Sequence, residues 1–111
     1  MPSIQEQQAP IDKAIVNAMI ESTPESWDVI VLTLSRAPVT QEQNFVGSFL
    51  HELTSPQDTR PCGPCDSLFE ATFRLDQLLR SNGSVLRSAV YKATNNGTEW
   101  SFDAEFKYEP R

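Results

Sequence analysis

From Glu99 to Tyr108 the chain alternates without a break. Trp100, Phe102, Ala104, Phe106 and Tyr108 interleave with Glu99, Ser101, Asp103, Glu105 and Lys107. A period of two places the aromatic residues on one side of an extended backbone and the polar residues on the other. The pattern therefore predicts a strand with a buried aromatic face and a solvated face. Residues 85–93 are the natural partner, joined through Asn95-Asn96-Gly97, a strong hairpin sequence. Loop length decides which side of that partner meets the aromatics. A two-residue loop sets Ala89 and Tyr91 beside them, and a three-residue loop with a bulge sets Leu86 and Val90 there.

The rest of the chain supplies the other elements. Ile11, Ala14, Ile15, Ala18 and Met19 recur at helical spacing, with Pro10 suited to the first turn and Ser22-Thr23-Pro24 as the stop. Residues 27–35 are β-branched and apolar on both sides, which predicts a central strand with both faces covered. Residues 44–53 read as a second strand, in a hairpin with the first across a polar connection at 36–43. Pro56, Pro61, Gly63 and Pro64 make residues 54–64 a loop. A second helix follows, capped by Asp66 or Ser67. Its apolar stripe is Leu68, Ala71, Leu75 and Leu78, widened by Phe69, Phe73 and Leu79, and Ser81-Asn82-Gly83 ends it. The expected order is α-β-β-α-β-β, an α+β fold with a four-stranded antiparallel sheet and two packed helices. Residues 1–9 are expected to form a flexible N-terminus and residues 10–111 a single domain.

Fifteen acids stand against nine bases, a formal net charge of −6 with a pI near 4.6. Counterion release rewards basic surfaces, so direct binding to nucleic acid or to an anionic membrane is not expected. The longest apolar run, Val29 to Leu32, is too short to cross a bilayer. The opening Met-Pro-Ser-Ile-Gln-Glu-Gln-Gln-Ala lacks an export pattern, so the expected location is the cytoplasm. Asn82-Gly-Ser84 and Asn96-Gly-Thr98 then read as turn sequences rather than glycan acceptors.

Three constellations could carry chemistry. Cys62-Gly63-Pro64-Cys65 has the spacing of thioredoxin-like redox sites, where the first thiol needs a helix N-terminus. A proline-rich loop precedes it here, in place of the βαβ unit that such sites occupy. The same cysteines with His51, and Asp58 or Asp66, could be combined as metal ligands, yet no second paired motif accompanies them, and neither a metal nor another cofactor is expected. A lone histidine and four dispersed glycines leave no nucleophile turn and no phosphate loop, so no catalytic residue is expected. Glu99, Asp103 and Glu105 fall on the solvated side of the last strand and form the candidate partner-binding set, an acidic patch able to accelerate capture of a basic protein. Their bland reading is a charged face that keeps the protein dissolved and its sheet from aggregating.

Several segments resemble the YezG-like family of bacterial immunity proteins, the antitoxins of polymorphic toxin systems. They are Pro24-Glu25-Ser26-Trp27 with Val29-Ile30-Val31-Leu32, Leu68-Phe69 and Leu75 through Leu79, Gly83, Ala89-Val90-Tyr91-Lys92 with Asn96-Gly97, and Phe102 through Glu109. The Cys62–Cys65 loop departs from that pattern. The resemblance implies a cytoplasmic, non-enzymatic protein that neutralises a cognate toxin domain, often a basic nuclease, by binding it. The alternative is a small thiol-redox or metal-binding protein that uses Cys62 and Cys65.

Overall fold

The computed structural model describes residues 4–36 and 49–108. The expected start of the second strand at Asn44, and nearly all of the connection before it, lie outside them. The described elements are α1 (Ile4–Ser22), β1 (Val29–Ser35), β2 (Leu50–Ser55), β3 (Asp58–Cys62), α2 (Asp66–Ser81), β4 (Leu86–Asn95) and β5 (Trp100–Tyr108). The class is α+β with an antiparallel sheet, as expected. The order is α-β-β-β-α-β-β, however, and the sheet has five strands, arranged β3-β2-β1-β4-β5.

The additional strand, β3, lies within the segment expected to be a loop. Its Pro61 is tolerable because β3 is an edge strand, whose outer backbone side has no ladder to complete. Between Leu53 and Ser55 the β2–β3 register shifts, and Leu53 pairs with Cys62 while Ser55 pairs with Asp58. Gln57 at the turn reaches back to β1, its side-chain oxygen accepting the N–H groups of Asp28 at 2.6 Å and Val29 at 3.0 Å. The buried Trp27 indole N–H donates to Asp58 at 3.3 Å. Polar side chains thus fix this edge where few apolar ones are present.

Helix α1 starts at Ile4 rather than at Pro10, which therefore sits inside it. An interior proline removes a hydrogen bond and costs about 3 kcal/mol. The strong helix formers Gln5 to Ala9 continue the helix on its far side. Helix α2 is capped by the extended backbone of Cys65 rather than by Asp66 or Ser67. It ends as expected: Gly83 has φ 85°, and the N–H groups of Gly83 and Ser84 return to the carbonyls of Arg80 at 3.0 Å and Leu79 at 2.9 Å.

Both helices lie on one side of the sheet and pack against each other. Ile30, Leu32 and Leu34 of β1, Leu53 of β2, and Ala89, Tyr91 and Ala93 of β4 face them and are buried. Ile15, Met19, Leu68, Leu75 and Leu79 close the core from above. The other side of β1 is only partly covered, at Val29, Val31 and Thr33, which corrects the expectation of a strand buried on both faces. Residue Phe69 and residue Phe73 do not widen the α2 stripe either. They are exposed, and Thr72 and Asp76 take the buried positions.

The C-terminal hairpin pairs Ala89 with Phe106, Tyr91 with Ala104 and Ala93 with Phe102. Asn95 pairs with Trp100, leaving four loop residues. A four-residue loop has the same parity as a two-residue one, so Tyr91 and Ala89 stand beside the aromatics. A shift between Leu86 and Ser88 turns Leu86 back into the core. The aromatic face of β5 is nevertheless only half covered. Phe102 keeps 41% of its surface exposed and Tyr108 46%, because β5 lies at the edge of the sheet.

Candidate functional site

The side of the sheet away from the helices carries the acids of interest. The registers align Thr54, Val31, Lys92 and Asp103 in one row across the strands. Glu52, Thr33, Val90 and Glu105 form the next row, and Leu50, Ser35, Ser88 and Lys107 a third. Asp103 and Glu105 therefore occupy adjacent rows of β5, both exposed, and Glu52 stands exposed across the sheet on β2. Glu99 lies in the turn before the strand, where its N–H donates to the Asn96 side-chain oxygen at 3.0 Å. The patch is not uniformly acidic. Lys92 sits directly opposite Asp103, and Lys107 follows Glu105 on the same side. Between the charges lie Thr33, Ser35 and Ser88 with Val31 and Val90, and Leu50 stands 73% exposed in the outer row at the β2 end.

The cysteines and the histidine are held apart in role. Cys62 ends β3 opposite Leu53, three residues before the residue that caps α2. Cys65 is the residue at the start of α2. Its N–H donates to the Ser22 hydroxyl at 3.0 Å and its thiol points at the Ala18 carbonyl at 3.7 Å, so it ties α2 to α1. Both thiols are free. A thioredoxin-like site needs the reverse placement, with the first thiol at the helix. No group of three His, Cys, Asp or Glu side chains that could hold a metal occurs among the described residues.

His51 lies under α2, with its ring edge-on to Phe69 at 4.6 Å. Its Nδ1 is 3.2 Å from the Phe49 carbonyl and its Nε2 is 2.8 Å from the Thr72 hydroxyl. A carbonyl only accepts, so Nδ1 carries the proton, and Nε2 competes with the Leu68 and Phe69 carbonyls, each 3.1 Å away, for the one Thr72 hydroxyl proton. Burial lowers the pKa of the ring against the smaller opposing effect of the Phe49 carbonyl. Because the chain has one histidine, its proton NMR titration is unambiguous. The midpoint is expected below the ordinary 6.5. The linked stability is complete above the unfolded-state value and lost as pH falls through the folded one. A midpoint at or above 6.5 would contradict this burial.

A buried ionic cluster went unanticipated. Arg36 makes a two-pronged contact with Asp76 at 3.1 and 3.2 Å, and Arg80 joins the same carboxylate from one turn further along α2. The Arg36 guanidinium also lies over the Phe49 ring, 4.4 Å from its centroid. A signal existed in the sequence: Arg36 continues the two-residue parity of Ile30, Leu32 and Leu34 into the core, and Asp76 and Arg80 are four residues apart. The cluster has a structural role. It joins the end of β1 to α2.

No helix of the described residues is long and apolar enough to cross a membrane. Compared with protein-family models and with curated proteins, the chain matches none of them.

Proposed function

We propose that the protein acts by non-catalytic binding of a basic protein domain on the open side of its sheet, as an immunity protein neutralising a toxin domain. One observation carries this reading: among the described residues both helices sit on the same side of the sheet, and the opposite side presents Glu52, Asp103 and Glu105 beside Val31 and Val90. Val31 and Val90 supply apolar area, and the charges set orientation and encounter rate. The formal net charge of −6 adds long-range attraction for a basic partner. A nuclease domain, basic around its substrate cleft, fits that description. The resemblance of the C-terminal half to YezG-like immunity proteins supports the same partner class.

The test is titration calorimetry against a toxin domain encoded beside the gene. A stoichiometric complex is expected, weakened about a hundredfold at low salt by Glu99→Lys, Asp103→Lys and Glu105→Lys together. The loss should shrink as salt rises, since exposed charges are screened over about 8–10 Å at physiological ionic strength. Unchanged affinity in the triple variant at low salt would remove this face from the mechanism.

A further inference from the structure

The two edges of the sheet differ in kind. Edge β3 is five residues long, contains Pro61 and is distorted where it meets β2. These devices discourage further strands from pairing there. Edge β5 has nine residues, no proline and no irregularity beside its central residues, and its aromatic side is half exposed. The Asn96 N–H donates to the Glu99 carbonyl at 3.1 Å, which marks that couple as hydrogen-bonded. Alternation along the ladder then assigns Ser101, Asp103, Glu105 and Lys107 to bonds with β4. The backbone N–H and C=O groups of Phe102, Ala104 and Phe106, between them, face outward.

We infer that this edge pairs antiparallel with the same edge of a second copy of the chain, in a register centred on Glu105. The choice of occupant and register follows from the side chains on β5. Centring on Ala104 sets Asp103 against Glu105 of the second copy, twice, and like charges directly opposite are destabilising. Centring on Phe106 pairs Glu105 with Lys107 but leaves Phe102 uncovered. The Glu105 register sets Asp103 opposite Lys107 at both ends. It places Phe102 opposite Tyr108, so that the two most exposed aromatics of the strand cover each other, and it matches small Ala104 with Phe106. The single mismatch of this register is Glu105 against Glu105 on the two-fold axis. Centring on Asp103 also leaves a single like-charge couple on the axis, but it draws its ion pairs from Glu99 in the turn and sets exposed Tyr108 against Thr98 rather than an aromatic. Asp103 and Glu105 belong to both this seam and the proposed toxin surface, so the Ala104→Pro variant, which changes neither side chain, is the one that tells the two apart.

Sedimentation velocity of the full chain, with reductant to exclude disulfide-linked species, tests the pairing. A reversible monomer–dimer equilibrium is expected. Ala104→Pro removes an N–H that faces the free edge rather than β4, and should give a monomer with an unchanged circular dichroism spectrum. Glu105→Gln relieves the axial repulsion and should tighten the dimer about two- to five-fold, whereas Asp103→Lys should weaken it by at least as much. The Glu105→Gln arm decides the matter even if the proline variant fails to fold. A wild-type chain that stays monomeric up to its solubility limit would overturn the pairing, as would a dimer that Glu105→Gln weakens. Toxin binding retained by monomeric Ala104→Pro would separate a failure here from a failure of the proposed function.

Discussion

Replacing Asp76 by alanine is expected to destabilise the fold by about 3–5 kcal/mol, as when one member of a buried ion pair is removed. Domains of this size have total stabilities of about 5–15 kcal/mol, so the variant should be marginal or unfolded at 37 °C. The reason is the charge left behind. The Arg36 side chain is almost fully buried and directs two nitrogens at the Asp76 carboxylate. Without that carboxylate the guanidinium keeps its desolvation cost and loses the two charge-assisted hydrogen bonds to Asp76. Arg80 matters less, because its side chain is substantially exposed and can turn to water. A double variant, Asp76→Leu with Arg36→Met, removes both charges together and should recover much of the loss. The pH dependence has a definite sign. Burial pushes the Asp76 carboxyl up, but hydrogen bonds from Arg80 and Arg36 outweigh it and hold the group below the usual carboxylate value. Its contribution is present above the unfolded-state pKa of about 3.9 and lost as pH falls through the folded one. Urea unfolding at pH 7 and pH 3 measures both effects. A cost below about 1 kcal/mol for Asp76→Ala would show that the cluster behaves as an ordinary surface pair.

The parts of this fold that were legible in the sequence are those held by short-range rules. The β4–β5 hairpin follows from unbroken alternation and an Asn-Asn-Gly turn, and the end of α2 from Asn82-Gly83, since local backbone chemistry dictates both. The parts that were not legible depend on what a segment meets in space. Pro61 reads as a loop residue unless the strand is known to be an edge. Residues Phe69 and Phe73 have the spacing of a core stripe, but only the placement of α2 over β2 and β4 decides that Leu68, Thr72, Leu75 and Asp76 turn inward. An arginine after an apolar strand reads as the strand's end, and nothing local reveals that an aspartate forty residues on will meet it. The acids show the same division. Their alternation along β5 was readable, whereas Lys92 beside Asp103 became visible only with the β4–β5 register. That neighbour changes the site from an acidic patch into a face of mixed charge, which a partner must match in detail.

Tyr91 joins the core to the aromatic residues of edge strand β5, and Tyr91→Ala is expected to cost about 3–5 kcal/mol, the range for emptying a buried aromatic site. The side chain is fully buried in β4 and its hydroxyl donates to Asp12 of α1 at 2.6 Å. Phe102 stacks on its ring at 6.4 Å and Phe106 meets it edge-on at 5.7 Å. Those two contacts join the aromatic side of β5 to the core, against which Trp100 and Ala104 also pack. Tyr91→Phe separates the two roles. It keeps the ring and removes only the hydrogen bond to Asp12, at an expected cost of about 1–3 kcal/mol. The phenol also predicts an alkaline response. Burial, followed by its hydrogen bond to Asp12 and the charge of that carboxylate, raises the Tyr91 pKa well above the ordinary 10.0. A raised acid of this kind contributes stability that is complete below the unfolded-state value and lost as pH rises through the folded one. Wild type should therefore lose stability above about pH 10 more steeply than Tyr91→Phe, which has no such proton to lose. Thermal melts between pH 8 and pH 11 make the comparison. Equal alkaline slopes in the two proteins would mean that Tyr91 ionises freely, and that the contact between α1 and β4 is looser than a buried 2.6 Å hydrogen bond requires.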